Sequence, residues 1–363
     1  MSAVTQKVLM KGNEALAEAA IRAGCRCFFG YPITPQTELA AYMSKRMVKE
    51  GGTYLQAESE VAAINMVYGA SAAGARAMTS SSSPGISLKS EGISYMAGAD
   101  LPGVIINVQR GGPGLGGIQP SQADYWQATK SVGHGDFHLI VLAPSTVQEM
   151  TDLVFTAFDL ADEYLTPVMI LADGMLGQMM EPVQLPEPKT TFVDKPWALT
   201  GHQGKRERNV ANSLHLLAED LERTNVERFE RYETIKAHEQ RAEEFMTDDA
   251  EIVVVSFGAS ARIARSAVKK ARELGIKAGL IRPITLWPFP TDAIERALPN
   301  AKAYLTVEMN MGQMVDDVRL AVNGRTPVEF YGRAGGMIPT PAETLAHIQA
   351  LADRVGATKG GDL

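Results

Sequence analysis

A chain of 363 residues, 45% of them hydrophobic and 21% charged, has the length for two packed α/β domains and is too apolar for a disordered or fibrous protein. Its formal net charge is −7, and its lysines and arginines are interspersed with acids, so it carries no basic footprint for nucleic acid. No apolar run reaches the roughly 20 residues of a membrane-spanning helix, and Met1 to Lys11 lacks the apolar core of a signal peptide, so a cytoplasmic protein is expected.

From Gly12 to Ala23 apolar residues recur at helical spacing, and Gly24 stops that helix before a short apolar strand, Cys27 to Phe29. The alternation continues with helix Ser59 to Ala73, strand Ala77 to Thr79, helix Lys89 to Ala99 and strand Gly103 to Val108. Strand His138 to Leu142, helix Val147 to Glu163 and strand Pro167 to Ala172 complete it. Strands alternating with helices of ten or more residues predict a parallel, doubly wound sheet. After Pro182 the composition changes: a Pro-rich linker leads to a charged stretch, Ala218 to Phe245, which reads as one long exposed or bridging helix. A second, smaller α/β unit follows. It comprises strand Glu251 to Phe257, helix Ala261 to Leu274, strand Ala278 to Ile281, a turn from Pro283 to Pro290 and strand Ala303 to Val307, and is complete by Ala350. Cys25 and Cys27, the only two cysteines, stand too close for an ordinary disulfide and too poor in co-ligands for a cluster; two reduced thiols are expected.

In doubly wound sheets function sits in loops that leave the carboxyl ends of strands. Here those loops are Gly30-Tyr31-Pro32-Ile33-Thr34-Pro35, Ser80-Ser81-Ser82-Ser83-Pro84-Gly85 and Arg110 to Gly117, and all three should meet at one edge. Two prolines bracket Ile33-Thr34, so the Thr34 hydroxyl is either a rigidly held substrate donor or the N-cap of a helix beginning at Pro35. Glu60 opens an otherwise apolar helix. It is either a buried, proton-sharing acid or, like Glu58, a helix-start acid stabilised by the macrodipole. Arg110 has the planar fork to grip a carboxylate or phosphate, and the glycines after it admit a ligand to the backbone. That loop matches neither the Walker A loop nor the dinucleotide fingerprint. Ser80 to Gly85 is a polar turn or an anion-binding loop. Asp173-Gly174 has no downstream Asn for a metal-diphosphate site, and His134 and His138 read as loop histidines rather than zinc ligands; no metal site is expected.

Taken together, Gly30-Tyr31-Pro32-Ile33-Thr34-Pro35, Glu58-Ser59-Glu60-Val61-Ala62-Ala63-Ile64, Ser81-Ser82-Ser83-Pro84-Gly85 and Gly112-Pro113-Gly114 resemble the α subunit of the 2-oxoacid:ferredoxin oxidoreductases. The resemblance spans essentially the whole chain. It implies an α/β fold of two domains. Residues 1–185 would be a pyrimidine-type thiamine diphosphate-binding domain, 186–249 a linker with the charged helix, and 250–363 a transketolase C-terminal-type domain bearing the family's Glu308, Asn310, Gly312 and Gln313. The segments Gln56 to Glu60, Met78 to Gly85 and Gly177 to Pro182 look most like the branched-chain (2-oxoisovalerate) enzyme, and the 2-oxoglutarate enzyme shares the same loops.

The resemblance also implies roles. Glu60 corresponds to the glutamate that hydrogen-bonds N1′ of the aminopyrimidine of thiamine diphosphate and so promotes loss of the cofactor's C2 proton. Thr34 and Arg110 correspond to substrate-binding residues. Tyr31 and Ile33 shape the pocket wall, and Pro32, Ser83, Pro84 and Gly85 border the cofactor. The magnesium ion (Mg2+) for the diphosphate and the iron–sulfur (4Fe-4S) clusters are expected on a β subunit, a γ subunit and a ferredoxin-like δ subunit. The implied substrates are a 2-oxoacid and coenzyme A, with ferredoxin as electron acceptor, so this chain would hold half of a shared site. Two other readings share parts of the pattern: the β subunit of a lipoamide-linked 2-oxoacid dehydrogenase, and a non-catalytic nucleotide- or acyl-CoA-binding module using Gly111 to Gly117.

Overall fold

In a computed structural model, which describes residues 7–130 and 132–358, helices pack on the faces of two large sheets, and two short strands make a third sheet. The first part runs β1 (Val8–Lys11), α1 (Gly12–Arg22), β2 (Cys27–Gly30), α2 (Thr37–Arg46), β3 (Thr53–Gln56), α3 (Glu60–Ala72), β4 (Ala77–Ser81), α4 (Pro84–Gly98) and β5 (Gly103–Gln109). It continues through α5 (Tyr125–Thr129), β6 (Ile140–Leu142), α6 (Val147–Tyr164), β7 (Pro167–Asp173), α7 (Gly174–Gln178) and β8 (Met180–Val183). An irregular segment leads to α8 (Ala218–His238) and β9 (Ala242–Phe245). The last part comprises β10 (Ile252–Val255), α9 (Gly258–Glu273), β11 (Ala278–Pro283), β12 (Thr285–Trp287), α10 (Thr291–Ala297), β13 (Ala303–Glu308), α11 (Met314–Val322), β14 (Val328–Gly332) and α12 (Pro341–Val355).

The seven-stranded sheet has the order β12-β6-β7-β5-β4-β2-β3, parallel throughout except for the edge strand β12. Its middle strands β5 and β7 are buried along their whole length, as continuous apolar runs in a sheet covered on both faces must be. The chain passes from β2 outward to β3, then returns across β2 to β4. The order therefore reverses between β2 and β4, and the crevice at their carboxyl ends is the place where doubly wound sheets bind ligands. The five-stranded sheet, β14-β13-β10-β11-β9, is parallel except for β9.

The helical and strand periodicities place most of the long elements correctly, and the differences have local causes. The charged stretch is not one helix to Phe245: α8 stops at His238, and Ala242–Phe245 becomes the antiparallel edge of the second sheet, where Arg282 pairs with Glu243. The expected turn after Pro283 contains β12, which crosses back to pair with β6 of the first sheet. Both strands, of four and three residues, are too short to show a period. The fourth helix starts at Pro84 rather than Lys89, because Pro suits the first helical position even after a serine run. The second unit ends not at Ala350 but at Val355, where Gly356 in the left-handed region closes α12.

Candidate active site

The three special loops meet at the crevice between β2 and β4, joined by hydrogen bonds. In the loop after β2, buried Gln36 reaches in two directions: its amide donates to the Tyr31 carbonyl (3.2 Å), and its Oε1 accepts the Ser80 hydroxyl (2.6 Å). The Pro35 carbonyl is fixed by the Asn13 side chain (2.8 Å). Arg110, which follows β5, spreads its guanidinium between the carbonyls of Thr34 (3.0 Å) and Leu115 (3.1 Å), so it staples the first loop to the glycine-rich one. Its backbone N–H donates to the Ser83 hydroxyl (3.0 Å), which itself donates to Asp124 (2.6 Å).

Ser83 carries the backbone strain of the site. Its φ of 34° is a conformation that residues with a Cβ rarely adopt, and it is held there by Asn107, which accepts the Ser83 N–H at 3.1 Å, and by the two hydroxyl bonds. Burial pushes the Asp124 carboxyl up, against hydrogen bonds from Ser83 and Asn107 and the nearby Arg110 charge. The strained serine delivers the chain into α4 so that the Gly85 backbone lies directly under Glu60. A Cβ built on Gly85 would stand 2.6 Å from Glu60 Oε1 and 2.0 Å from Ser81 Oγ.

Glu60 is the first residue of α3, whose N-cap Ser59 accepts the Ala62 N–H (3.2 Å). The residue is 5% exposed, and its carboxyl lies against the Gly85 backbone. Buried polar atoms without partners gather in this region: Ser81 Oγ beside Gly85, Lys89 Nζ on α4, and Ser82 Oγ and Arg110 Nε in the adjoining loops. Unpaired buried polar groups are costly, and their clustering here marks a place built to receive a polar group from elsewhere. One carboxyl, hydroxyls and a glycine floor form a donor set that fits the hydrogen-bonding edge of a heteroaromatic ring such as an aminopyrimidine.

Each site residue named from the sequence can now be placed. Thr34 is not an N-cap: α2 begins at Thr37, and the Thr34 side chain is exposed at the crevice. Tyr31 and Pro32 are also exposed and Ile33 is half-buried. Arg110 is buried rather than an open grip, because two carbonyls occupy much of its fork. Asp173, set aside as a metal ligand, is the N-cap of α7, accepting from the N–H groups of Met175 (2.9 Å) and Leu176 (3.1 Å). His138 stacks on Trp287 with ring centroids 4.6 Å apart, and burial pushes its imidazole down to about 4. Both cysteines are free, Cys25 buried and Cys27 half-buried. Gln36, Asn107, Asp124 and Lys89 carry no signal in the sequence, since a lone amide, acid or amine in a loop, strand or helix shows no spacing.

Residues 18–249 match the family model for the pyruvate flavodoxin/ferredoxin oxidoreductase thiamine diphosphate-binding domain, and residues 250–344 that for pyruvate:ferredoxin oxidoreductase core domain II. The chain belongs to the 2-oxoacid:ferredoxin oxidoreductase family. It carries a thiamine diphosphate-binding domain followed by a core domain of that family. It is 49% identical to the ketoisovalerate oxidoreductase subunit VorB of Methanothermobacter thermautotrophicus, over 95% of this chain and 97% of that protein. With the 2-oxoglutarate synthase subunit KorA of the same organism the identity is 37%, covering 94% of this chain and 98% of that one. Among solved structures, the 2-oxoglutarate:ferredoxin oxidoreductase of Magnetococcus marinus, with 2-oxoglutarate, coenzyme A and succinyl-CoA bound, matches at a TM-score of 0.84 and 26% identity. That match covers 95% of this chain and 65% of the longer one. Family membership sets aside the lipoamide-linked dehydrogenase and the non-catalytic binding module.

Proposed function

We propose that this chain is the α subunit of a branched-chain 2-oxoacid:ferredoxin oxidoreductase, which converts the 2-oxoacid and coenzyme A to acyl-CoA and CO2 while reducing ferredoxin. The observation that carries the reading is Glu60, a buried carboxyl at a helix start, lying over the bare backbone of Gly85 beside the unpartnered Ser81 hydroxyl. In this reading Glu60 would hold the aminopyrimidine of thiamine diphosphate at N1′, and Pro32, Ser83, Pro84 and Gly85 would border the ring. When bound, the cofactor supplies a carbon nucleophile and an electron sink.

The chain's own residues do the rest. Glu60 takes up and returns a proton at its carboxyl oxygens. Thr34 offers an exposed hydroxyl to the substrate. Arg110 is fixed by the Thr34 and Leu115 carbonyls and has N–H groups left, the buried Nε among them, for the substrate carboxylate. Tyr31 and Ile33 wall the acyl pocket. The N-terminal domain is assigned the pyrimidine-type role and the C-terminal domain the transketolase C-terminal type. The diphosphate, its Mg2+ and the 4Fe-4S clusters are assigned to β, γ and ferredoxin-like δ subunits.

Helix α3 supports the shared site. It is apolar around most of its circumference, yet Val61 on its outer side is 44% exposed, and a helix of that composition is ordinarily covered. The branched-chain assignment rests on the higher identity to the ketoisovalerate subunit than to the 2-oxoglutarate subunit over similar coverage. The free thiols Cys25 and Cys27 support a cytoplasmic location.

In the complex reconstituted from all subunits, Glu60→Gln should slow hydrogen–deuterium exchange at the cofactor's C2 by ~100-fold or more, the range general acid–base groups contribute. Unchanged exchange removes Glu60 from this role. The same wild-type complex, supplied with coenzyme A and a viologen dye, should turn over 2-oxoisovalerate faster than 2-oxoglutarate, pyruvate or an aryl pyruvate.

A further inference from the structure

Lys89 is fully buried, and its Nζ has no hydrogen-bond partner. Lysine is almost never found in that state unless a counter-charge compensates it, because stripping water from an ammonium ion is expensive. Its place on α4 identifies the counter-charge. The buried face of α4 comprises Gly85, Lys89, Gly92, Ile93 and Met96, a stripe at helical spacing. The buried face of α3 is Glu60, Ile64, Val67 and Ser71.

The two stripes form one seam, and glycines fix its register: a Cβ on Gly85 would meet Glu60 Oε1 at 2.6 Å, and one on Gly92 would meet Ile64 Cγ2 at 2.5 Å. Lys89 lies between those two points, one turn beyond Gly85. Glu60 is the charge that acts on it, opposing the burial that pushes the Lys89 amine down to about 8. The other elements packed here bring no competing charge. β2, β4 and β5 contain no ionisable acid or base inside the seam, Asp173 of β7 is spent on capping α7, and Glu91 of α4 faces solvent. Asp124 and Arg110 lie across Ser83 and act on each other.

We propose that Lys89 is a positioning residue for Glu60: its ammonium, held on the α4 side of the seam, is the counter-charge that favours the ionised Glu60 carboxyl. This rests on the reading of Glu60 as the cofactor's proton partner. It adds that the proton affinity of Glu60 is set from behind, by a residue that touches neither cofactor nor substrate. Lys89 Nζ makes no hydrogen bond to the carboxyl, so the coupling is through the low-dielectric seam and leaves the carboxyl free to turn to the pocket.

The test uses the reconstituted complex and infrared difference spectroscopy across pH, with the protonated-carboxyl band of Glu60 assigned by its loss in Glu60→Gln. Lys89→Met, which keeps the length and removes the charge, should move the pH at which that band disappears upward by at least one unit, roughly a tenfold change in proton affinity. Lys89→Gln is the second variant should Lys89→Met fail to assemble, and the same shift is expected. The pH profile of C2 exchange should move with the band, and Lys89→Met should change exchange no further in a Glu60→Gln background. A band midpoint that stays put in an assembled variant overturns the proposal. A band that moves with Lys89→Met while Glu60→Gln leaves C2 exchange untouched supports the Lys89–Glu60 couple and defeats only the role assigned to Glu60.

Discussion

At Gly85 a single methyl group would decide whether the site can exist. Both the Glu60 carboxyl and the Ser81 hydroxyl close to within 2.6 Å of where it would stand, and Ser81 belongs to a fully buried strand that cannot move aside. Gly85→Ala should therefore cost ~1–3 kcal/mol in unfolding experiments and weaken thiamine diphosphate binding more than that, since relief comes most easily by rotating Glu60 out of place. Cofactor titration by fluorescence quenching, compared with the denaturation midpoint, separates the two effects. Asp173 gives a second residue-scale expectation. Burial pushes its carboxyl up to about 6, against the N–H groups of Leu176, Met175 and Ala259 that pull it down. The folded chain thus retains a proton that the unfolded chain, titrating near pH 3.9, gives up. The stability from this group is complete below about pH 4 and is lost as pH rises through about 6, by up to ~3 kcal/mol. Asp173→Asn keeps an acceptor for the α7 N–H groups, so its unfolding free energy measured from about pH 4 to 7 should no longer show that decline.

At the scale of elements, the strands and helices fall into two sets. β5, β7, α1, α3 and α6 announce themselves, because a buried strand is a run of apolar residues and a helix packed on a sheet has an apolar stripe. α6 even carries its own start signal, the Thr146 hydroxyl accepting the Glu149 N–H at 3.0 Å. α2, β3, β9, β12 and β14 do not, since edge strands of three to five residues and an exposed helix obey no period that a short window can show. Their positions come from partners far away in the chain, as when Ala143 donates to the Ile284 carbonyl (2.8 Å) to anchor β12. The same holds for the segment from Glu308 to Gln313. Glu308 is buried and receives the N–H groups of Met314 (2.8 Å) and Val315 (3.1 Å) at the start of α11, while Gln313 donates to the Ala123 carbonyl (2.8 Å) and accepts the Trp126 N–H (2.9 Å). This segment fastens the second domain to the stretch that leads away from Arg110.

The whole molecule is held together at that junction, and Gln122 is its centre. Fully buried, it donates to the Phe257 carbonyl (2.7 Å) and accepts both the Ser260 hydroxyl (2.8 Å) and the Met309 N–H (3.0 Å). Gln122→Ala leaves the Met309 N–H without a partner and strips one bond each from the Ser260 hydroxyl and the Phe257 carbonyl in a dry interface, so it should destabilise the chain by ~2 kcal/mol. Chemical denaturation followed by both tryptophan fluorescence and circular dichroism should show the wild type unfolding in one step and the variant's two domains coming apart first. Behind the junction, His138 from the segment before β6, Tyr232 of α8 and Trp287 of β12 pack as rings, so the linker helix is part of the same body.

The sequence by itself determined the parallel doubly wound first domain and the loops that carry the candidate site, and pointed to Glu60 as a candidate acid, because apolar periodicity, turn-forming prolines and glycines, and family motifs are all local patterns. It also located Arg110, although not the manner in which its fork is used. Only the tertiary structure decided that the guanidinium bridges two loops, that Thr34 caps no helix, that Ser83 is strained over Gly85, and that Lys89 lies buried behind Glu60. These depend on which residues distant in sequence converge at the β2–β4 crossover. Such convergence is set by strand order and by the close packing of α3 on α4, and a one-dimensional pattern holds neither.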